Sequence, residues 1–222
     1  EYFGFKVGCC RYSDLSVFSF HPVKMITTGE GGAITTNNKL LYEKCKLLRS
    51  HGIEKDPQKM KEKQIGLWKY EQQMLGYNYR ISDINTALGL SQIKRLDSII
   101  KKRRELINKY NSLFEGFDAA KIITEIKHTR SSYHLALMRL RKVKKLSEYK
   151  YIFESLRNKG LGVQLHYYPI HLQYFYKKLG WNKGDFPVAE KYAFTTLSIP
   201  LYETLEDKDI SKIVRLIKET LD

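Results

Sequence analysis

Two short β-prone runs around a glycine-rich turn, one unusually long helical stripe, and a β–α alternation after it predict an α/β chain in two parts. The first part, residues 1–116, is an α/β half that ends in the long helix, and the second, residues 117–222, is a small α+β unit. A length of 222 residues suits one large core or two smaller ones, because domains run to about 100–200 residues.

Residues 15–20 and 31–36 carry the β-prone runs, with TTGEGG at residues 27–32 as turn material between them. Asn37 and Asn38 offer caps for a helix over residues 40–50, whose Leu40, Leu41, Leu47 and Leu48 recur at helical spacing before Gly52 stops it. Residues 53–70 are charged, hold Pro57 and few apolar anchors, and read as a mobile or partner-covered loop. From Ser82, a good N-cap, a single helix is expected to run to Gly116. Its apolar stripe is Ile84, Leu88, Ile93, Leu96, Ile100, Ile107, Tyr110 and Phe114. At about 1.5 Å per residue it would be roughly 50 Å long, suited to linking two parts. Further on, residues 131–140 alternate as a strand, 149–159 form a helix closed by Gly160, and 163–167 form a strand halted by Pro169. Residues 186–194 are helical with Pro187 in the first turn, 196–199 are a strand, and 207–221 are a terminal amphipathic helix.

Thirty-nine Lys and Arg against 24 Asp and Glu give a formal charge of +15, while 42% hydrophobic and 13% aromatic residues exclude a disordered polyelectrolyte. The basic runs KKRR (101–104) and RLRKVKK (139–145) could neutralise phosphates. Neither sits in a zinc-finger, recognition-helix or aromatic RNA-binding signature, so they read as solvated faces and no nucleic-acid partner is expected. A basic surface suits a phosphorylated or nucleotide-linked small substrate equally well. No apolar stretch approaches the roughly 20 residues of a bilayer crossing, so no membrane partner is expected. Cys9, Cys10 and Cys45 supply neither a disulfide framework nor a C-x-x-C metal pair, which fits a reducing cytoplasm and no metal. The chain opens on Glu1 in what reads as mid-strand, without a signal-peptide pattern, and is expected to be a piece of a longer protein.

Chemistry concentrates in SVFSFHPVKMITTGEGGA, residues 16–33. A strand delivers Ser19, His21 and Lys24 into a loop, and the glycines after it let the chain turn tightly. Lys24, flanked by Val23, Met25 and Ile26, is expected to be partly desolvated, which favours the nucleophilic amine that carbonyl chemistry requires. Ser19 could turn its hydroxyl to a phosphate. Taken singly, Lys24 would read as a solvated side chain, and only the motif around it overturns that reading. His21 and His51 read as structural, and GEGG at 29–32 as a turn, since it lacks the lysine and threonine of a P-loop.

The run SFHPVKMITTGEGG (19–32) resembles the lysine segment of the DegT/DnrJ/EryC1/StrS family of sugar aminotransferases, fold-type-I enzymes dependent on pyridoxal phosphate. LRSHG (48–52), LGYNYRISD (75–83) and ALGLSQI (87–93) look like the family's next blocks, and GVQLHYYPIH (162–171) and LSIPL (197–201) like its C-terminal ones. Several linked blocks in order carry far more weight than one pattern. The resemblance implies the C-terminal part of an aspartate-aminotransferase-like fold, namely a remnant of the large α/β domain followed by the small α+β domain. It further implies that Lys24 is the catalytic lysine, joined to the cofactor and later shuttling the proton, and that Ser19 holds the cofactor phosphate. Asn78 would reach the phosphate of the neighbouring subunit's cofactor, which implies a homodimer with a shared active site. Arg80 could meet a carboxylate or phosphate bidentately, or form a structural ion pair. His166, Tyr168 and His171 would lie near the nucleotide-sugar site, with plain packing as the other reading.

Within the family, WKYEQQMLGYNYR (68–80) followed by GLSQ (89–92) looks most like the pseudaminic-acid-pathway subgroup. That subgroup aminates C4 of UDP-2-acetamido-2,6-dideoxy-β-L-arabino-hex-4-ulose with L-glutamate. The implied reaction is a ping-pong transamination, and because relatives with histidine at the lysine position deoxygenate instead, Lys24 argues for amination. The family acid that pairs the pyridine nitrogen has no counterpart, since neither Glu1 nor Asp14 has its context. The chain alone is therefore expected to bind the cofactor poorly and not to turn over. The competing class is a non-catalytic basic module that binds nucleic acid or a partner chain.

Overall fold

In the computed structural model, which describes residues 1–222, the first strands are β1 (Ser16–Ser19) and β2 (Gly32–Thr35). They pair antiparallel, from Ser16 opposite Thr35 to Ser19 opposite Gly32. Glycine is required at 32, because a Cβ there would stand 2.6 Å from the Phe18 carbonyl oxygen. Helix α1 (Lys39–Arg49) starts at Asn38, whose side chain accepts the Leu40 and Leu41 amides, the bonds an N-cap exists to make. The segment expected as a mobile or partner-covered loop is clasped at its base. β3 (Ile53–Glu54) pairs with β4 (Glu71–Gln72), and the Glu71 carboxylate accepts the amides of Lys61 (3.0 Å) and Glu62 (2.9 Å). Those amides hold the Glu71 carboxyl below its usual range.

The single helix expected from 82 to 116 is two helices, α2 (Asp83–Ile93) and α3 (Leu96–Phe114). At the break the Arg95 amide turns back to the Gln92 carbonyl (3.0 Å), a tighter step than the α-helical one. No glycine or proline marks this point, and Ile93 and Leu96 keep helical spacing across it, so the periodicity runs through unbroken. Burial does change there: α2 buries no residue, and α3 buries Ile99, Arg103, Leu106, Ile107, Tyr110 and Phe114. The chain divides at the same place into two compact units. Unit 1 comprises residues 1–96 with 127–130, and unit 2 residues 97–126 with 131–222.

Unit 2 is built on an antiparallel sheet of order β5-β6-β7, formed by β5 (Ala120–Ile122), β6 (Ala136–Leu140) and β7 (Thr196–Ile199). Along β6, Ala136, Met138 and Leu140 are buried while Leu137 and Arg139 are half-buried, the alternation of a sheet with one face on a core. The same cluster takes in Leu106, Ile107 and Tyr110 of α3, Tyr149, Ile152 and Leu156 of α4 (Leu146–Asn158), and Ile210, Ile213 and Ile217 of α7 (Asp207–Leu221). Two buried tyrosines spend their hydroxyls on carbonyls, Tyr110 on Pro200 (2.8 Å) and Tyr149 on Thr196 (3.2 Å). Burial raises both phenols, Tyr149 to about 12.

Two further expectations are corrected here. The strand expected from residue 131 begins only at Ala136, because α3 arginines draw the preceding carbonyls out of any ladder. Arg104 takes the Ser131 carbonyl (2.7 Å), and the buried Arg103 takes those of Tyr133 (3.3 Å), His134 (3.1 Å) and Leu201 (3.2 Å). The strand expected over 163–167 shrinks to one bridge, Gln164 opposite Ser198. Val163 cannot extend it: its amide bonds the Leu161 carbonyl (2.9 Å) and its carbonyl accepts from Arg157 (3.3 Å). α5 (Tyr174–Lys178) was not expected, and α6 (Pro187–Ala193) was. No helix is long and apolar enough to cross a membrane.

Every buried apolar side chain lies at Ile99 or beyond, so all belong to unit 2. In unit 1 the only buried side chain is that of Thr28, while Ile84 (85%), Leu40 (80%) and Val17 (71%) stand exposed.

Candidate active site

Ser19 closes β1, and the chain then turns through residues 20–31 before β2. Paired threonines fasten this turn from inside. The Thr28 amide and the Thr27 hydroxyl both donate to the Phe20 carbonyl (3.0 Å each), and the Thr27 hydroxyl accepts the Gly29 amide (2.9 Å). The buried Thr28 hydroxyl donates to the Glu30 carbonyl (2.8 Å), and the Asn85 side chain of α2 donates to the Thr28 carbonyl. Within that frame the Lys24 amide closes a tight turn on the His21 carbonyl (2.9 Å). Lys24 is half-buried, although the neighbouring Val23 is exposed, and no carboxylate of the chain forms an ion pair with its amine. The Ser19 hydroxyl is exposed and accepts the His21 amide at 3.4 Å. His21 is exposed too, accepting the Val23 amide at Nδ1 (3.3 Å) and facing Glu30 (3.9 Å).

Beside this turn lies an apolar cavity of about 270 Å³ lined by Phe20, Ile26, Ile81, Leu90 and Ile93, with Gly89 of α2 at its wall. A Cβ at Gly89 would come within 2.7 Å of the Thr28 methyl, so the glycine lets α2 approach the threonine clamp.

The blocks LRSHG and LGYNYR, 27 residues apart in sequence by their first positions (75 − 48), meet in one short ladder. Tyr77 donates to the Leu48 carbonyl (2.7 Å), His51 to Tyr77 (2.8 Å) and Tyr79 to Arg49 (2.9 Å), with Asn78 opposite Ser50. A Cβ at Gly52 would stand 1.8 Å from the Met74 carbonyl oxygen, so the crossing admits only glycine there. The ladder stacks the Tyr77 and Tyr79 rings (4.7 Å) and leaves the Asn78 side chain exposed, with Arg80 exposed just beyond.

The remaining expected residues belong to unit 2. His166 is half-buried with its ring edge-on to Tyr167 (4.8 Å), and Tyr168 is exposed at 39%. His171 is buried, its Nε2 2.9 Å from Glu190 Oε1, and its ring lies 4.9 Å from that of Phe186. Glu190 also accepts the Gly184 amide (2.6 Å), and these two partners, His171 first, hold its carboxyl below the usual range. Thr27, Thr28, Asn85 and Glu190 were not singled out from the sequence. TT before glycine is the one local signal for the clamp; nothing local marks a carboxylate nineteen residues from its histidine.

The strand–turn has the chemistry that the cofactor implied by the motif requires. A primary amine free of carboxylates suits an aldehyde, and an exposed strand-end serine suits a phosphate, so Lys24 and Ser19 fit two ends of pyridoxal phosphate.

Residues 1–218 match the family model described as the DegT/DnrJ/EryC1/StrS aminotransferase family. The chain belongs to that family. Among its relatives, a UDP-4-amino-4,6-dideoxy-N-acetyl-beta-L-altrosamine transaminase of Campylobacter jejuni is 42% identical over 226 residues, across 100% of this chain and 54% of the relative. Helicobacter pylori PseC, an aminotransferase involved in the biosynthesis of pseudoaminic acid, superimposes with a TM-score of 0.88 at 33% identity over 100% of this chain and 56% of its own. Spr1654 of Streptococcus pneumoniae, described as a sugar aminotransferase and solved in its PMP form, superimposes with a TM-score of 0.89 at 30% identity over 99% of this chain and 55% of its own. The chain thus spans about half the length of the curated relatives it matches. The expected fold class is borne out: the DegT-family chain is mixed α/β and overlays sugar aminotransferases along nearly its whole length.

Proposed function

We propose that the protein containing this chain transfers an amino group from L-glutamate to C4 of a nucleotide-linked 4-keto-6-deoxy sugar, with pyridoxal phosphate as cofactor. The observation that carries this reading is Lys24, a half-buried lysine without a carboxylate partner on a clamped strand-end turn, within a chain of the aminotransferase family. When bound, pyridoxal phosphate supplies an aldehyde and an electron-withdrawing ring that stabilises negative charge on the carbon losing its proton. Lys24 Nζ would hold the aldehyde end and, as a free amine, would take the proton from the glutamate α-carbon. In the second half-reaction it delivers a proton to C4 of the sugar. Ser19 Oγ donates to the phosphate. The threonine clamp keeps Lys24 and Ser19 on one rigid turn, which lowers the cost of aligning the amine with the reacting carbon. Asn78, exposed on its ladder, serves the phosphate of a second subunit in a homodimer with shared sites.

The names of the Campylobacter and Helicobacter relatives support UDP-2-acetamido-2,6-dideoxy-β-L-arabino-hex-4-ulose as the sugar and pseudaminic acid or a related surface glycan as the destination. We place the reaction in the cytoplasm. By itself the 222-residue chain does not turn over: unit 1, which carries Lys24, buries no apolar side chain. A coupled assay of the full-length protein tests the reading, following 2-oxoglutarate release with glutamate and a series of UDP- and dTDP-linked 4-keto sugars. Release with the UDP sugar named above is expected; no release with any 4-keto sugar would remove the reading.

A further inference from the structure

One side chain of α2 is committed to the lysine turn rather than to its own helix. Asn85 stands three residues after the Ser82 N-cap, the position whose polar side chain usually reaches back to the cap's own amide. Here it reaches elsewhere. The Asn85 side-chain NH2 donates to the Thr28 carbonyl, 57 residues away in sequence, and its carbonyl oxygen accepts the Ser82 hydroxyl. The Ser82 oxygen in turn accepts the Asn85 backbone amide (3.2 Å). These contacts fix the orientation of the side-chain amide, its oxygen toward the cap and its nitrogen toward the turn.

The Thr28 carbonyl is a sensitive point to hold. Its residue is buried, its amide closes on the Phe20 carbonyl (3.0 Å), and the Phe20 amide closes on the Gly31 carbonyl (2.9 Å). Residues 20–31 therefore leave and re-enter the strands at one pinned base, and Lys24 sits beyond that base on the turn that its own amide closes. α2 meets the base twice, through Asn85 and, one helical turn on, through Gly89 beside the Thr28 methyl. The cavity next to Gly89 is walled by apolar side chains and threonines, so no other side-chain amide or charge there can take over the Thr28 carbonyl.

We infer that Asn85 is a positioning residue for the transamination: by holding the Thr28 carbonyl to α2, it sets where the Lys24 amine stands relative to the reacting carbon. The inference rests on the reading that Lys24 is the reacting amine, and adds a residue outside the lysine block that aligns it. Asn85 also ties the lysine turn to the segment that bears Asn78, whose ladder ends at Tyr79, six residues earlier (85 − 79). Misplacing a reacting group by about 1 Å costs about 10²-fold in rate. A loss of that kind falls on kcat rather than on substrate binding.

Asn85→Asp keeps the size of the side chain and suits a helix N-terminus, where a carboxylate is favoured, but it sets an oxygen against the Thr28 carbonyl. Hydrogen exchange of the full-length protein without cofactor reads the turn itself. In Asn85→Asp the Lys24 and Thr28 amides are expected to exchange at least about tenfold faster, with those of α1 and of unit 2 unchanged. With pyridoxal phosphate, kcat per borohydride-labelled Lys24 should fall about 10–100-fold while KM for the nucleotide sugar stays within about twofold. Asn85→Gln, which restores a donor, should recover most of that loss. Equal exchange at Lys24 and Thr28 in the two proteins overturns the inference even if Lys24 is labelled. So does faster exchange with kcat per labelled lysine unchanged, or faster exchange that spreads to α1 and makes Asn85 a general prop of unit 1. Faster exchange confined to the turn, while Lys24 of the wild type takes no label, upholds Asn85 as the clamp of this turn and removes the transaminase reading instead.

Discussion

Unit 1 holds the lysine and the first four motif blocks but buries only the Thr28 side chain, whereas unit 2 gathers all the buried apolar side chains around a three-stranded sheet. Local order in unit 1 comes from polar clamps: an asparagine cap, two threonines across a turn, and a glutamate across two amides. Such bonds each contribute only about 1 kcal/mol net, so they can shape a site without building a stable domain. Burial of side chains such as Ile107, Leu156 and Ile217 contributes about 1.5–3 kcal/mol each. In this chain the buried apolar core and the lysine thus lie in different units.

The largest expected effect separates them outright. Lys24→Ala in the full-length protein should cut transamination at least about 10³-fold, while chemical denaturation followed at unit 2 shifts by no more than about 0.5 kcal/mol. A loss of activity that tracks loss of fold would break the comparison.

Next come paired truncations of similar side chains. Ile107→Ala, in the unit 2 core, should cost about 2–5 kcal/mol in urea unfolding. Leu40→Ala, at an 80% exposed site in unit 1, should stay within about 0.5 kcal/mol for this chain. Equal costs would mean that unit 1 has a core of its own.

The pH dependence sharpens the same point. Tyr149 is protonated in the fold up to about 12 against an ordinary 10.0, so its contribution is complete below the lower value and lost as pH rises to the upper one. Tyr110 shifts in the same direction. Unit 2 should lose stability across that window by circular dichroism, and Tyr149→Phe should flatten the fall. Glu190 acts at the other end. Its carboxyl is held low by His171, so its contribution is present above the ordinary glutamate range and lost as pH falls through the lowered value. Glu190→Gln should remove that acid sensitivity.

The smallest effect is a cap. Asn38→Ala should destabilise α1 by about 1 kcal/mol, visible as faster amide exchange at Leu40 and Leu41 with unit 2 amides unchanged.

What the sequence disclosed follows the same division. The SFHPVK block put Ser19 and Lys24 on a strand-end turn, and the structure has both there, because most of the bonds that close that turn are local. The caps at Asn38 and Ser82 were equally legible. The break between Ile93 and Leu96 was not, since apolar spacing continues across it and only the change from exposed to buried surroundings reveals it. Nor could alternation alone show that Arg103 and Arg104 would claim the carbonyls before Ala136, a contact made across about thirty residues of chain. Tyr168 was singled out and lines a cleft in unit 2, but the facing wall at 186–192 became visible only once the chain had folded.

The central claim is that Lys24 is the residue that holds pyridoxal phosphate in this protein. Borohydride reduction of the full-length protein with pyridoxal phosphate, followed by peptide mass mapping, tests it most directly. The account predicts one phosphopyridoxyl group per chain, on the peptide containing Lys24, absent in Lys24→Ala and lost when glutamate is added before reduction. A label on another lysine, or none on Lys24, would contradict it.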